Sequence, residues 1–142
     1  MSIWKQQTAL EFLNSLGENT LTGHIGIEFT EIGEDYLMAK MPVDSRTHQP
    51  FGILHGGASA VLAETLGSVA STLCLPDVQK QTAVGLEINV NHLRSVRSGF
   101  VFGKATPVRI GRSVHVWNIE ITDEAGLLTA VSRLTTVIKD MG

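Results

Sequence analysis

Between Thr47 and Pro76 the only side chain charged at neutral pH is that of Glu64. A carboxylate placed alone in a long uncharged stretch needs a reason, because burying one without partners is costly. Nine residues before it, Leu54-His55-Gly56-Gly57 opens a helix-like run and could leave backbone N–H groups free at the helix start. A lone acid and free N–H donors are the parts acyl transfer uses. The first attacks a carbonyl or activates water, and the second holds the developing oxyanion.

The helix-like run covers residues 57–75. At about 100° per residue, Ala58, Val61, Leu62, Thr65, Leu66, Val69 and Leu73 form one stripe, expected to pack on a sheet. Ala60, Glu64, Gly67, Ser68 and Ser71 fall on the other side. A plain solvent-facing helix would also carry a Glu, but it would carry several charges, and this face is made of small residues. Small residues admit another surface, so a dimer interface or a substrate cleft is expected there. His55 and Glu64 are nine residues apart, more than ~13 Å along one helix. Two such helices antiparallel across a two-fold axis would bring Glu64 of one copy to Gly56 of the other. The expectation is a homodimer with shared active sites, and pairing of two dimers into a homotetramer.

The surrounding elements read as follows. Residues 7–16 show apolar residues at three-to-four spacing, with Thr8 as N-cap and Gly17 as stop, so the N-terminal segment 1–20 is expected to be helical. Residues 25–41 read as two strands around a turn at Gly33-Glu34-Asp35, and residues 84–92, 100–106, 114–121 and 127–138 read as four more. A strand pair, one long helix and four successive strands imply an α+β arrangement, an antiparallel sheet wrapped around one central helix, in a single domain spanning 1–142.

Composition excludes several functions. A net charge of −3 gives no field to recruit nucleic acid or an anionic membrane. Cys74 is the only cysteine, and the histidines (His24, His48, His55, His92, His115) lack the i, i+4 pairing of a zinc helix, so neither disulfide nor metal is expected. No phosphate-binding glycine loop is present, and no cofactor is expected. Gly57-Ala-Ser59-Ala-Val lacks the second glycine of a serine-hydrolase elbow, leaving Ser59 to satisfy N–H groups of the first helical turn. Nothing at the start reads as a charged-then-apolar leader, so a cytoplasmic setting is expected.

The segment 41–68, with Gln49, His55-Gly56-Gly57, Glu64 and Ser68 in register, resembles the hot-dog-fold acyl-CoA thioesterases. It is most similar to their aryl-CoA branch, which serves menaquinone and enterobactin synthesis. The likeness extends from Ile3-Trp4-Lys5 through residues 85–92 to Ser132-Arg133-Leu134. One departure is the loop 75–81, slightly longer than the family pattern and bearing on substrate fit.

The resemblance implies hydrolysis of an acyl-CoA, with an aromatic acyl group. Glu64 would be nucleophile or general base, and the Gly56 N–H would polarise the thioester carbonyl. Gln49 and His55 would position the thioester, the carboxylate or the water, and Ser68, one turn after Glu64, would reach the acyl group or the water. Gly85 and the stretches His92-Leu93-Arg94-Ser95 and Arg109-Ile110-Gly111-Arg112 would contact substrate and CoA. The residues add a trace of their own: no acid occurs between Ile88 and Ile119, while Arg94, Arg97, Lys104, Arg109 and Arg112 do. Such a basic rim suits the phosphates of CoA, although positive charge also protects a sheet edge. Two rivals remain at this point, a hot-dog hydroxyacyl dehydratase and a non-catalytic acyl-CoA-binding module.

Overall fold

The computed structural model describes Met1–Met141. Nine elements follow one another: α1 (Leu10–Ser15), α2 (Leu21–His24), β1 (Glu28–Ile32), β2 (Leu37–Pro42), α3 (Gly56–Leu73), β3 (Gln81–His92), β4 (Phe100–Ile110), β5 (Val114–Thr122) and β6 (Leu128–Asp140). The strands form one antiparallel sheet in the order β1-β2-β4-β5-β6-β3. α3 lies across one face of it, and this is the hot-dog architecture.

Strand alternation explains which face receives the helix. On β5, His115, Trp117, Ile119 and Ile121 are buried while Asn118 and Glu120 are exposed. Leu37, Ala39 and Met41 of β2 point the same way and are fully buried. Gly103 lets the helix settle: a β-carbon there would lie 2.6 Å from Leu66 Cδ1.

The buried face of α3 differs from the expected stripe. Gly67 and Ser71, assigned outward, are buried against the sheet, whereas Val61, Thr65 and Val69 are only half-buried. Gly67 packs on Leu134, whose Cδ2 occupies the place of a side chain. Ser71 Oγ accepts the Trp117 indole N–H at 2.7 Å and shares a hydrogen bond with Thr136 Oγ1 at 2.9 Å. That network satisfies polar groups sealed beneath the helix.

The N-terminal segment is mostly extended before α1. Lys5 and Gln6 donate their backbone N–H groups to the Leu73 carbonyl at 2.8 and 3.1 Å, partnering the helix end. Trp4 stacks on Trp117 with centroids 6.3 Å apart. Thr8 is not the N-cap of α1; Ala9 is, and the Thr8 hydroxyl is buried without a partner among the described residues. β4 runs on to Ile110 through a bulge between Pro107 and Arg109, where the sequence pattern ends at Thr106. β3 pairs only with β6, and residues 84–87 are exposed.

Candidate active site

Helix α3 begins one residue before the expected start, with His55 as N-cap in extended conformation. The His55 ring caps the helix itself: Nδ1 accepts the Gly57 N–H at 2.8 Å. Because a backbone N–H can only donate, Nδ1 is unprotonated there, and the neutral ring carries its proton on Nε2. The His55 carbonyl accepts from Ala58 and Ser59 at 3.0 and 3.4 Å. The first-turn N–H groups of Gly57, Ala58 and Ser59 are thus taken, while that of Gly56 has no partner among the described residues. This corrects the expectation for Ser59, whose capping task His55 performs.

The loop before the helix is fixed by its own ladder. Gln49 N–H donates to Ile53 O, Leu54 N–H to Val96 O and His55 N–H to Thr47 O, each within 2.8–2.9 Å. Gln49 Oε1 accepts the Phe51 N–H, so its two amide hydrogens are the part left to offer. The Leu93 and Arg94 N–H groups both converge on the Thr129 carbonyl, holding the turn after β3. Loop, turn and helix start enclose a cleft of about 320 Å³ lined by Gln49, Ile53, Leu54, Gly56, Ser59, His92, Leu93, Arg94, Ser95 and Thr129. His92 lies so close that a β-carbon on Gly56 would sit 2.7 Å from its Nε2. A side chain at 56 would therefore displace the exposed His92 imidazole from the mouth of the cleft.

Glu64 stands elsewhere. It is exposed in the isolated chain, and its Oε2 lies over Gly85, near the start of β3. Ser68, one turn on, is half-buried and lends its carbonyl to the Thr72 hydroxyl at 3.0 Å. Gly56 and Glu64 are about 12 Å apart along the helix axis. Their strand neighbours His92 and Gly85 are about 23 Å apart along β3. Within one chain, the candidate acid and the candidate oxyanion donor belong to separate places.

The basic residues divide in the same way. Arg94 flanks the cleft at the Gly56 end. Arg109 and Ile110 end β4 and Gly111 and Arg112 begin the turn to β5, where Ile110 pairs with His115, His115 with Thr136 and Thr136 with Gly85. That turn is therefore level with Glu64. Lys104 is engaged with the Tyr36 ring at 4.4 Å from its centroid. The five cations do not form one continuous rim on a single chain. Ile53, Leu54, Ser59 and Thr129 line the cleft although the sequence assigned none of them to substrate; for Ser59, the i, i+3 spacing from Gly56 was the available signal.

Among the described residues no cluster of His, Cys, Asp and Glu could hold a metal ion, and no helix is long and apolar enough to cross a membrane.

Comparison with known proteins identifies the family. Residues 51–130 match the Thioesterase superfamily. The 1,4-dihydroxy-2-naphthoyl-CoA hydrolase of Escherichia coli is 57% identical over 136 residues, 96% of this chain and 98% of that one. The proofreading thioesterase EntH of Cronobacter turicensis is 52% identical over the same length, again 96% and 98%. Among solved structures, a mutant thioesterase (Q49A) from Pseudomonas aeruginosa superimposes with a TM-score of 0.96 at 47% identity, covering 99% of this chain and 100% of that one. The rival readings as a dehydratase or a passive binding module give way to these relatives. The chain belongs to the thioesterase superfamily and is a hot-dog thioester hydrolase.

Proposed function

We propose that this single-domain enzyme hydrolyses an acyl-CoA carrying an aromatic acyl group, at sites built jointly by two copies of the chain. The observation that carries the reading is the separation of Glu64 from the unpartnered Gly56 N–H within one chain. The exposed edge of β3 suggests the remedy. If two β3 strands pair antiparallel about a point between Ile88 and Asn89, Gly85 of one falls opposite His92 of the other. Glu64, over Gly85, then faces the cleft beside His92 and Gly56 of its twin, and the Arg109–Arg112 turn joins the partner cleft at the same end. The sheet face away from α3, with exposed Asn89, Asn118, Glu120 and Arg133, is available for two such dimers to pair into a tetramer.

In each joint site the Gly56 N–H, at the positive end of an 18-residue helix, receives the thioester oxygen. One such donor is typically worth roughly 3 kcal/mol as the oxyanion forms. Gln49 directs its amide hydrogens and His55 its Nε2–H toward the bound thioester or the attacking group. Glu64 either attacks the carbonyl carbon, displacing the CoA thiolate and leaving an anhydride for water to open, or removes a proton from water as it attacks. Ser68 borders the acyl group, while His92–Ser95 and the partner's basic turn hold CoA. The relative named as a 1,4-dihydroxy-2-naphthoyl-CoA hydrolase supports an aromatic acyl group.

Steady-state hydrolysis of benzoyl-CoA, a naphthoyl-CoA and straight-chain acyl-CoA esters tests the substrate class. The aromatic esters should show the higher kcat/KM; a consistent preference for aliphatic esters would remove the aromatic assignment.

A further inference from the structure

Ser59 is a polar group of the cleft that the steps above leave unused. It follows Gly56 by one helical turn, so the two share a face, and both line the same cleft. Its side chain is nearly enclosed, at 3% exposure. Of the other hydroxyls of α3, Ser71 binds Thr136 and Trp117 and Thr72 donates to the Ser68 carbonyl, while Thr65 and Ser68 do not line this cleft. The Ser59 hydroxyl has none among the described residues, and His55 has relieved it of capping the helix. It is not one of the sealed unpartnered polar atoms, so it opens to the cleft, and a ligand bound there can replace water as its partner.

We propose that Ser59 is a substrate-binding residue, whose hydroxyl hydrogen-bonds the pantetheine amide nearest the thioester of the bound acyl-CoA. The inference rests on the acyl-CoA reading above. Three residues of helix carry Ser59 about 4.5 Å beyond Gly56. That is close to the spacing between a thioester oxygen held at Gly56 and the first amide past the sulfur. The walls suit this part of the substrate. The lining combines the apolar Ile53, Leu54 and Leu93 with the polar Gln49, Ser59 and Ser95, as pantetheine combines alkyl spacers with amides. Arg94 stands at the same cleft, in place for the phosphates that follow. The acyl group lies on the other side of the thioester, toward the twin's β3, where the apolar Leu86 is exposed next to Gly85.

The test compares wild type with Ser59→Ala, a substitution that favours helix. Each is assayed on three thioesters of one aromatic acid: with CoA, with N-acetylcysteamine, which keeps the amide, and with ethanethiol, which lacks it. The variant should lose about tenfold in kcat/KM on the first two, the worth of one hydrogen bond, and nothing on the third. An equal loss on the ethanethiol ester, or no loss on the CoA ester, overturns the inference. If wild type itself hydrolyses the CoA ester no better than the ethanethiol ester, the acyl-CoA reading is what falls, and the Ser59 contact with it.

Discussion

Glu64 Oε2 occupies the space that a side chain on residue 85 would need: a β-carbon on Gly85 would lie 2.5 Å from it. The acid is thus aimed by an absence on the neighbouring strand, at a place where β3 bulges between Gly85 and Glu87. A carboxylate is the far end of a flexible side chain and can move aside, so a methyl group at 85 shifts the acid without breaking the sheet. Gly85→Ala should therefore fold normally and lose about 100-fold in kcat, the cost of a displaced reacting group. Thermal unfolding read beside steady-state kinetics checks both halves; an unchanged kcat would show that Gly85 does not aim Glu64.

Shared sites make a prediction that neither copy could satisfy alone. Glu64→Ala removes the acid and Gln49→Ala removes a donor that belongs, in the joint site, to the other chain. Each variant alone should be nearly inactive, by a factor on the order of 10² to 10⁴ for Glu64, with assembly intact. Ser68→Ala, at the border of the acyl group, should only weaken turnover. When the two inactive variants are mixed under subunit exchange, half the dimers are hybrids, and each hybrid regains one complete site. Activity should then recover to about a quarter of wild type. If mixing restores nothing while mass spectrometry shows hybrids, Glu64 and Gln49 serve sites within one chain.

Much of this arrangement was legible in the sequence because its signals are local. Alternation marks β5 and β6, an apolar repeat marks α3, and one acid stands alone at Glu64. What escaped depends on partners remote in the chain. Ser71 reads as an outward polar residue until Trp117 and Thr136, 46 and 65 residues away, supply its hydrogen bonds. Gly67 reads as an outward gap until Leu134 fills it. The four-residue α2 carries too little repeat to be seen, and Pro107 hides the last part of β4 because a proline cannot donate to the ladder. The cation-rich stretch looks continuous in the sequence, yet the fold sends Arg94 to one end of the sheet and Arg109 and Arg112 to the other.

His115 links the fold to pH. It is buried on β5 with Nδ1 unpartnered among the described residues, its ring edge-on to Trp117 at 6.5 Å between centroids. Burial lowers its pKa below 6.5, an effect only partly opposed by a hydrogen bond to the Gly111 backbone. Its nearest titratable neighbours do not help it accept a proton. Cys74, in the same small cavity, is a neutral thiol pushed up to about 11 by its burial, and Arg112 contributes a like charge. The sign follows from proton counting. Between the folded pKa and 6.5 the unfolded chain binds the proton and the folded chain does not, so acid favours unfolding. The stability contributed by neutral His115 is present above about pH 7 and declines as pH falls through 6.5 toward the lower folded value. His115→Gln cannot titrate, so its melting temperature should fall less steeply than that of wild type between about pH 7 and about pH 5. Parallel slopes for the two proteins would mean that His115 is protonated as readily in the folded chain as in the unfolded one, which its enclosure beneath α3 argues against.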